Sequence, residues 1–334
     1  MSARQRVAPA ALGPRRSAGT VAERRAPSAE SCIPTADAIV RELTRRGELW
    51  EAAPGVVGLR GDALALFRNV ERALAELARA DGAVEWLAPP AIALETLARA
   101  DYFTSFPHWL TAAAHLSDDT AELERVATSR DPAAAARDAL APATAALPPA
   151  LCYHAYAALA GATVTEQLTT AQGTCWRHEG DRTRPLERGW AFTMRETVCV
   201  ADEAATAAFV QRGTRRARAL AAALGIEPAV EPATDPFFAP TAAGRPQLQR
   251  VKGLKHELLL PLGDGRRVAA SSFNRHERFF GEAFGIGLTD GTPAYSACCA
   301  HGVERWTLAL LVAHGPEARD WPSFDGLPSP LEDA

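Results

Sequence analysis

The residues best suited to chemistry lie in the second half of the chain. One segment covers residues 173–179, passes through a charged loop, and returns over residues 191–196. Side chains alternate between the two faces of a strand, so the outgoing segment places Cys175, Arg177 and Glu179 together. The returning segment likewise places five side chains on one face, namely Trp190, Phe192, Met194, Glu196 and Val198. If both faces line one cleft, it holds a fixed cation, two acids and an aromatic plate.

A nucleotide needs those groups. Arg177 can hold a phosphate through two parallel hydrogen bonds, which lysine does less well. Phe192 offers a flat surface for adenine, and Glu179 can accept a hydrogen bond from the adenine amino group. Either strand alone is equally consistent with a surface ion pair above a core phenylalanine. The two strands together, at this spacing, favour nucleotide binding.

A third segment reads Ser-Ala-Cys-Cys-Ala-His-Gly-Val-Glu-Arg-Trp over residues 296–306. The pattern predicts a helix from Gly302 to Ala313, which places Arg305 in its first turn. A cation there opposes the helix dipole, and a bound phosphate would remove that penalty. A solvated arginine is the alternative.

Six cysteines lie at positions 32, 152, 175, 199, 298 and 299. Their spacing is not that of a disulfide framework, and no Cys-x-x-Cys pair indicates zinc. Spacing alone therefore predicts reduced thiols, most of them buried and inert.

The elements that would position these residues follow from periodicity and turn residues. Helices are predicted over 35–50, 62–81 with Asp62 as its cap, 118–145, and 202–224. Strands are predicted over 83–88, 254–262, 266–273 and 294–299, and 163–200 is predicted to form a hairpin with a long loop. Residues 147–153 read as a turn that enters a strand or an irregular segment. The sum is an α+β fold in which helices flank a mostly antiparallel sheet.

Bulk composition narrows the function. The 334 residues carry a net charge of −4, which gives no electrostatic footprint for nucleic acid. No apolar run approaches the roughly 20 residues of a membrane span. Residues 1–32 are rich in Ala, Arg, Pro, Ser and Gly and are expected to be a disordered tail rather than a transit peptide. Residues 33–334 are expected to form one catalytic domain with helical additions.

Together these segments resemble motifs 2 and 3 of the class II aminoacyl-tRNA synthetase core. Four further stretches resemble, more narrowly, the bacterial amino acid:carrier protein ligases, which are homologues of the catalytic core of the atypical, zinc-dependent seryl-tRNA synthetase of methanogens. The resemblance covers residues from about 35 to 325. The four stretches are 102–108, 152–156, 271–281 and 307–322.

The resemblance implies a set of site residues. The ATP-binding positions are Arg177, Glu179, Phe192, Ser272, Asn274 and Arg305, of which Arg177 and Arg305 are catalytic. The zinc ligands are Cys152, Glu196 and Cys298, and the metal holds the α-amino group of the substrate. Cys299 should face the other way. Val268 replaces the acidic residue that helps to bind magnesium in ordinary seryl enzymes, which leaves Glu257 as a candidate. The helix predicted over 62–81, the strand predicted over 83–88 and the proline pair at 89–90 resemble motif 1 of the class II core. Motif 1 forms the dimer interface in that family, so the resemblance implies a homodimer.

The implied activity is ATP-dependent activation of a small amino acid, glycine or alanine, as an aminoacyl-adenylate. The aminoacyl group then passes to the phosphopantetheine thiol of a small carrier protein, in the cytoplasm. No long basic coiled coil precedes the core, so tRNA is not the expected acceptor. Two alternatives stay open: a truncated or trans-acting aminoacyl-tRNA synthetase, and an inactive paralogue that serves as a binding module.

Overall fold

The computed structural model describes residues 34–238, 241 and 244–327. The expected tail at residues 1–32 lies outside this part of the chain. Among the helices of the described residues, none is long and apolar enough to cross a membrane.

The helices and strands of the described residues are numbered in chain order. The helices are α1 (Ala36–Arg45), α2 (Gly61–Ala80), α3 (Leu94–Arg99), α4 (Tyr102–Ser105), α5 (Thr120–Thr128), α6 (Pro132–Asp138), α7 (Cys152–Ala158), α8 (Glu203–Ala223), α9 (Arg245–Val251), α10 (Phe279–Phe284) and α11 (Val303–His314). The strands are β1 (Leu49–Ala53), β2 (Val56–Leu59), β3 (Val84–Glu85), β4 (Ile92–Ala93), β5 (Ala112–Ala113), β6 (Ala145–Ala146), β7 (Thr163–Val164), β8 (Gln167–Trp176), β9 (Ala191–Ala201), β10 (Ala229–Pro232), β11 (Lys255–Pro261), β12 (Arg267–Glu277), β13 (Gly287–Leu288) and β14 (Tyr295–Gly302).

The main sheet of the described residues has the strand order β10-β11-β12-β14-β9-β8-β3. Every neighbouring pair is antiparallel except the edge pair, in which β3 runs parallel to β8. The α+β prediction, with helices beside a mostly antiparallel sheet, is confirmed.

One face of this sheet is covered by α1, α2, α8 and α11. The cluster between them buries Phe209, Phe273, Cys299 and Trp306 almost completely. Burial of apolar surface at about 25 cal/mol per Å² makes this cluster the main source of stability for the sheet. The other face carries α7 and α10 and opens into a cleft between them and the hairpin.

Several local predictions were wrong in their limits. The first helix ends at Arg45 rather than at residue 50, since Gly47 adopts a φ of 67° and Leu49 begins β1. Asp62 lies in the first turn of α2, whose N-cap is Arg60. The predicted strand over 83–88 is reduced to the two residues of β3.

The segment before Cys152 also differs from expectation. Residues 147–153 were predicted to enter a strand or an irregular stretch, but Cys152 is the first residue of α7. No side chain caps this helix locally. Its first amide is instead held by Glu196 of β9, a contact that sequence periodicity does not contain.

Candidate active site

The β8–β9 hairpin forms the middle of the site, as predicted. Cys175 pairs with Phe192, and Trp176 pairs with Ala191 at the last rung of the ladder. Phe192, Met194 and Glu196 lie on the cleft face, while Cys199 lies in the helix-covered core. The strand ends at Trp176, however, so the predicted alternation does not extend to Glu179.

Arg177 follows β8 directly and its side chain is held without a carboxylate. Its Nε donates to Pro149 O at 3.0 Å, and its guanidinium carbon lies 4.9 Å from the centre of the Trp109 ring and 5.3 Å from that of Phe192. Cation–π contacts of this kind orient a guanidinium while leaving its charge available.

Arg305, in the first turn of α11, reaches the same place from the other side. Its Nε donates to Glu187 O and its Nη1 to Ala269 O, each at 2.8 Å. Burial, with the nearby charge of Arg177, lowers the pKa of Arg305 to about 10. No carboxylate of the described chain lies within ion-pair distance of either arginine, and both line one cavity of about 90 Å³. Two unpaired cations in such a cavity favour a bound polyanion.

Glu179 is buried and already has partners. Its Oε2 accepts from Arg188 Nη1 at 3.0 Å and lies 3.4 Å from Arg182 Nη2. The carboxylate lines the arginine cavity, so the adenine contact proposed for it would be shared with these two arginines.

The three expected metal ligands converge. Ligand atoms of Cys152, Glu196 and Cys298 all lie within 4.8 Å of one another, although 146 positions separate the outer pair, and all three residues are buried. Glu196 Oε2 accepts the backbone N–H groups of Leu151 and Cys152 at 2.8 Å each, which fixes the carboxylate beside α7.

This donor set fits Zn²⁺. Tetrahedral zinc with Zn–S bonds of about 2.3 Å places its sulfur ligands about 3.7 Å apart, a separation that lies inside the 4.8 Å limit of this cluster. For Cys152, the hydrogen bond with Cys298, burial and Glu196 raise the thiol pKa. For Cys298 the hydrogen bond with Cys152 lowers the thiol pKa. Burial and the charge of Glu196 outweigh this effect, so the pKa of Cys298 is raised as well. A cation would relieve the crowding of these acidic groups by taking the place of their protons.

A larger cavity of about 450 Å³ joins the two ends of the cleft. It is lined by the Cys152–Glu196–Cys298 cluster and by Arg177 and Arg305. Ser272 and Asn274 of β12 lie on its floor, between the arginines and the thiols. Asn274 Nδ2 lies 3.3 Å from Ser272 Oγ and 3.5 Å from Cys298 Sγ, so the structure places this side chain at the thiol end.

Lys255 and Glu257 lie on the neighbouring strand β11. Lys255 Nζ pairs with Glu257 at 3.1 Å and with Asp235 at 2.6 Å. Burial lowers the pKa of Lys255, but the two carboxylates more than compensate and raise it. Glu257, the candidate magnesium ligand, lines the arginine cavity with one oxygen already in an ion pair.

Two residues that follow Cys298 on β14 lie on the helix-covered side of the sheet. Cys299 packs in the helix-covered core, as predicted. His301 is buried on the core side, where its Nδ1 lies 2.7 Å from Ser271 Oγ.

Sequence reasoning missed several residues of the cleft wall. Trp109 stacks on Phe106 at 5.3 Å between ring centres, and Phe106 stacks on Phe237 at 5.2 Å, which continues the aromatic contact from Arg177. Arg245 holds this wall through Asp101 Oδ2 and Ser105 Oγ, each at 2.7 Å. The aromatic run at residues 102–109 was the available signal, but its partners are remote in sequence.

Comparisons with known proteins identify relatives of this chain. No family model matches the chain. Amino acid–acyl-carrier-protein ligase 1 of Bradyrhizobium diazoefficiens is 32% identical over 266 residues, which cover 78% of this chain and 81% of that protein. Ligase 2 of the same organism is 32% identical over 303 residues, 89% of this chain and 86% of the relative. Type-2 serine–tRNA ligase of Methanopyrus kandleri is 30% identical over 96 residues, 25% of this chain and 18% of that enzyme.

Solved structures agree on the fold. The seryl-tRNA synthetase of M. kandleri, solved with A. aeolicus tRNASec, superposes with a TM-score of 0.78 at 23% identity over 89% of this chain. The cytoplasmic serine–tRNA ligase of Naegleria fowleri, solved with AMP, superposes with a TM-score of 0.68 at 12% identity over 89% of this chain. The chain spans 61% and 60% of the lengths of these two synthetases.

Sheet, hairpin and the helix that carries Arg305 define a fold of the class II aminoacyl-tRNA synthetase type. Within that class, identity over most of both chains decides the branch. The chain belongs to the amino acid–acyl-carrier-protein ligase family.

Proposed function

We propose that this protein activates a small amino acid with ATP and transfers the aminoacyl group to the phosphopantetheine thiol of a carrier protein. The observation that carries the proposal is the continuous cavity. Arg177 and Arg305, without carboxylate partners in the described chain, line one end, and the Cys152–Glu196–Cys298 cluster lines the other.

Activation would take place at the arginine end. The amino acid carboxylate attacks the α-phosphorus of ATP, an O–P bond forms, and pyrophosphate leaves with the electrons of the broken P–O bond. Arg177 and Arg305 neutralise the phosphate charge and hold the triphosphate bent, while Phe192 supports the adenine. Catalysis of this kind depends on positioning and on charge stabilisation. Magnesium would assist at the phosphates, with Glu257 as a candidate ligand.

The substrate amine would lie at the thiol end. Zinc bound by Cys152, Glu196 and Cys298 would supply a Lewis-acid position for that amine. The backbone amides of Leu151 and Cys152 hold Glu196 in place, and the ordered cluster restricts where the substrate can lie. Substrates that lack an α-amino group would be rejected, because they would leave the open coordination position of the metal unfilled.

Transfer needs no nucleophile from the protein. The carrier thiol gives its proton to solvent and its sulfur attacks the aminoacyl carbonyl, so that a thioester forms and AMP leaves with the electrons of the broken C–O bond. The remaining cleft-side and core thiols are unsuited to such a role, since burial raises the pKa of Cys175 and raises that of Cys199 to about 12. Glycine or alanine as the substrate follows the family resemblance.

We further propose a cytoplasmic homodimer that forms at the β3 edge of the sheet. Val84 of β3 is 62% exposed, and nearby Leu87 is 89% exposed. Two large apolar side chains beside an open sheet edge support pairing there.

Pyrophosphate exchange into ATP over a panel of amino acids tests the activation step, with zinc measured on the same sample. The expected result is exchange that depends on glycine or alanine and stops for the matching carboxylic acid without an amine. Transfer is measured by intact mass of a carrier protein in its holo form, with the apo form, which lacks the thiol, as the control.

The outcomes separate the alternatives. Aminoacylation of tRNA instead of the holo carrier would indicate an aminoacyl-tRNA synthetase that acts in trans. Binding of ATP without exchange for any amino acid would indicate an inactive binding module.

A further inference from the structure

Cys298 differs from the other thiol of the cluster in what surrounds its sulfur. Asn274 Nδ2 lies 3.5 Å and His276 Nε2 lies 3.8 Å from Cys298 Sγ, both within reach of a hydrogen bond to sulfur. Both side chains come from β12, which pairs with the strand of Cys298 through the Asn274–Cys298 rung. In the described part of the chain, no side-chain N–H group reaches Cys152 Sγ in this way.

The backbone of β12 is deformed at this point. Arg275 pairs with Ala297 and Glu277 with Ser296, so His276 is the extra residue of a β-bulge. Glu277 adopts a φ of 52°, and its carboxylate is held by Lys252 Nζ at 2.9 and 2.8 Å. Bulges near functional sites redirect a side chain, and positive φ in a residue other than glycine is a cost that other contacts must offset.

Tyr156 fixes the state of the histidine ring. Its hydroxyl lies 3.1 Å from His276 Nδ1, and its ring is fully buried and stacked on Phe280 at 4.1 Å between centres. A metal-bound thiolate can only accept a hydrogen bond, so Nε2 must carry the hydrogen of the neutral ring. Nδ1 then accepts from the Tyr156 hydroxyl.

We propose that Asn274 and His276 are positioning residues for Cys298, which donate two N–H···S hydrogen bonds to its thiolate when it serves as a metal ligand. This inference rests on the metal site of the proposed function and assigns it a second layer of residues. The chain Tyr156–His276–Cys298 sets the direction of one bond, and the Asn274–Cys298 rung sets the other.

The chemical consequence is an asymmetric donor set. Hydrogen bonds draw electron density from a thiolate and weaken its donation to the metal, so the bound metal stays more electrophilic. Cys152 keeps its full donor strength, and Cys298 gives up part of it. A more electrophilic metal binds a neutral amine more tightly, which is the interaction that the amino acid end of the cleft requires.

The test uses the full-length protein and compares wild type with His276→Ala, His276→Gln and Tyr156→Phe. His115→Ala, at an exposed histidine remote in the fold, is the matched control. Zinc affinity is measured by competition with a chelator, and the sulfur-to-metal charge-transfer band is measured after substitution with Co²⁺. The KM for the amino acid and kcat are recorded separately by pyrophosphate exchange.

For His276→Ala we expect zinc affinity to fall about tenfold or more, because the loss of a fixed orientation for the Cys298 sulfur outweighs its stronger donation to the metal. The charge-transfer band should move to longer wavelength, because a thiolate without its hydrogen bond is easier to oxidise. KM for the amino acid should rise more than kcat falls. His276→Gln, whose amide can donate to the sulfur, should recover most of each change, and Tyr156→Phe should show a smaller shift in the same direction.

Three results would overturn the inference, and they differ from one another. If wild type holds zinc but the His276 variants keep its affinity and band position, the hydrogen bonds have no role and the metal site stands. If wild type binds neither zinc nor Co²⁺, the metal part of the proposed function fails and the inference fails with it. Loss of thermal stability without a band shift would mark His276 as a packing residue and also contradict the inference.

Discussion

The two faces of the main sheet use the same strands for opposite purposes. On the helix-covered face, Cys299, Phe273 and Trp306 pack in an apolar cluster whose polar groups are paired, as in the contacts of Ser271 with His301 and Trp306. On the cleft face lie the thiols and the carboxylate of the Cys152–Glu196–Cys298 cluster, and two arginines that bond to backbone carbonyls rather than to carboxylates. Cys298 and Cys299 are adjacent in sequence, but Cys298 belongs to the cleft cluster and Cys299 to the apolar core.

Arginines show the same contrast. Arg195, beside Glu196 on β9, is buried and bonded to Glu71 and Glu85, so its charge is neutralised and it ties α2 and β3 to the hairpin. Arg177 and Arg305 bond to backbone carbonyls instead. Because side chains alternate between the faces of a strand, the sheet can hold ion-paired arginines that stabilise the fold close to arginines that are available to a ligand. Mutations should distinguish the two kinds of arginine.

The largest expected effect comes from the adjacent cysteines. Cys298→Ala should lose zinc and reduce amino acid-dependent pyrophosphate exchange by about 10³-fold or more, since it removes a ligand and the amine position with it. Cys299→Ala should keep both, with a modest loss of stability from the small cavity it leaves. Metal content, exchange and urea unfolding on the same preparations check this pair. Full exchange by zinc-free Cys298→Ala would contradict the metal assignment.

Next in size is the phosphate end. Arg305→Ala should lower exchange by about 10² to 10³-fold, which is typical when one group that stabilises transition-state charge is removed. Arg212→Ala is the matched control, because that arginine pairs with Asp81 away from the cavity. Steady-state exchange at varied ATP measures both. Equal activity of the two variants would show that Arg305 is structural.

On the covered face, Gly213 of α8 permits close approach to β14. A Cβ atom at this position would lie 2.6 Å from Cys299 Sγ, so Gly213→Ala should destabilise the protein by about 1–3 kcal/mol despite its better helix propensity. Addition of Cys299→Ala should restore most of that loss. Urea midpoints of the single and double variants give the coupling. Additive effects would exclude the clash as the cause.

The last expected effect is the dependence of folding stability on pH. Burial raises the pKa of Glu304 from its ordinary value of 4.5 to about 7, although the backbone N–H of Thr193 donates to the carboxylate. Between these values the unfolded chain loses the proton and the folded chain retains it. Ionisation therefore favours unfolding, and stability should fall by about 3 kcal/mol as pH rises from 4.5 to above 7.

Glu304→Gln should flatten that part of the stability curve, as measured by urea unfolding at a series of pH values. A curve unchanged by the substitution would place the pH dependence elsewhere. The comparison with wild type uses stability alone, so a role of Glu304 in the cleft does not affect it.

Local patterns in the sequence predicted many of the secondary-structure elements that form the cleft. The β8–β9 hairpin, the β11–β12 pair, α8 and α11 follow from alternation, turn glycines and helical periodicity, and these elements are confirmed. Residue types at Arg177, Glu196 and Arg305 indicated the chemistry, and the resemblance to the ligases added Cys152 and Cys298.

Contacts between remote segments were beyond those patterns. Cys152 begins a helix because Glu196 binds its amide, and the wall of the cleft depends on Arg245 reaching Asp101. Sequence periodicity predicts neither contact, since each joins a single side chain to a group more than 40 positions away. The bulge at His276 is also invisible to alternation, which treats every residue of a strand alike.

One strand sets the distance between the two ends of the cleft. Phe192 and Glu196 lie four residues apart on β9, a separation of about 13 Å along an extended backbone. An insertion or deletion of one residue between them would rotate Glu196 into the helix-covered core and bring the following residue to the cleft. This stretch can therefore change by substitution but not in length, and the molecule can alter what either end of the cleft recognises without altering how far apart they are.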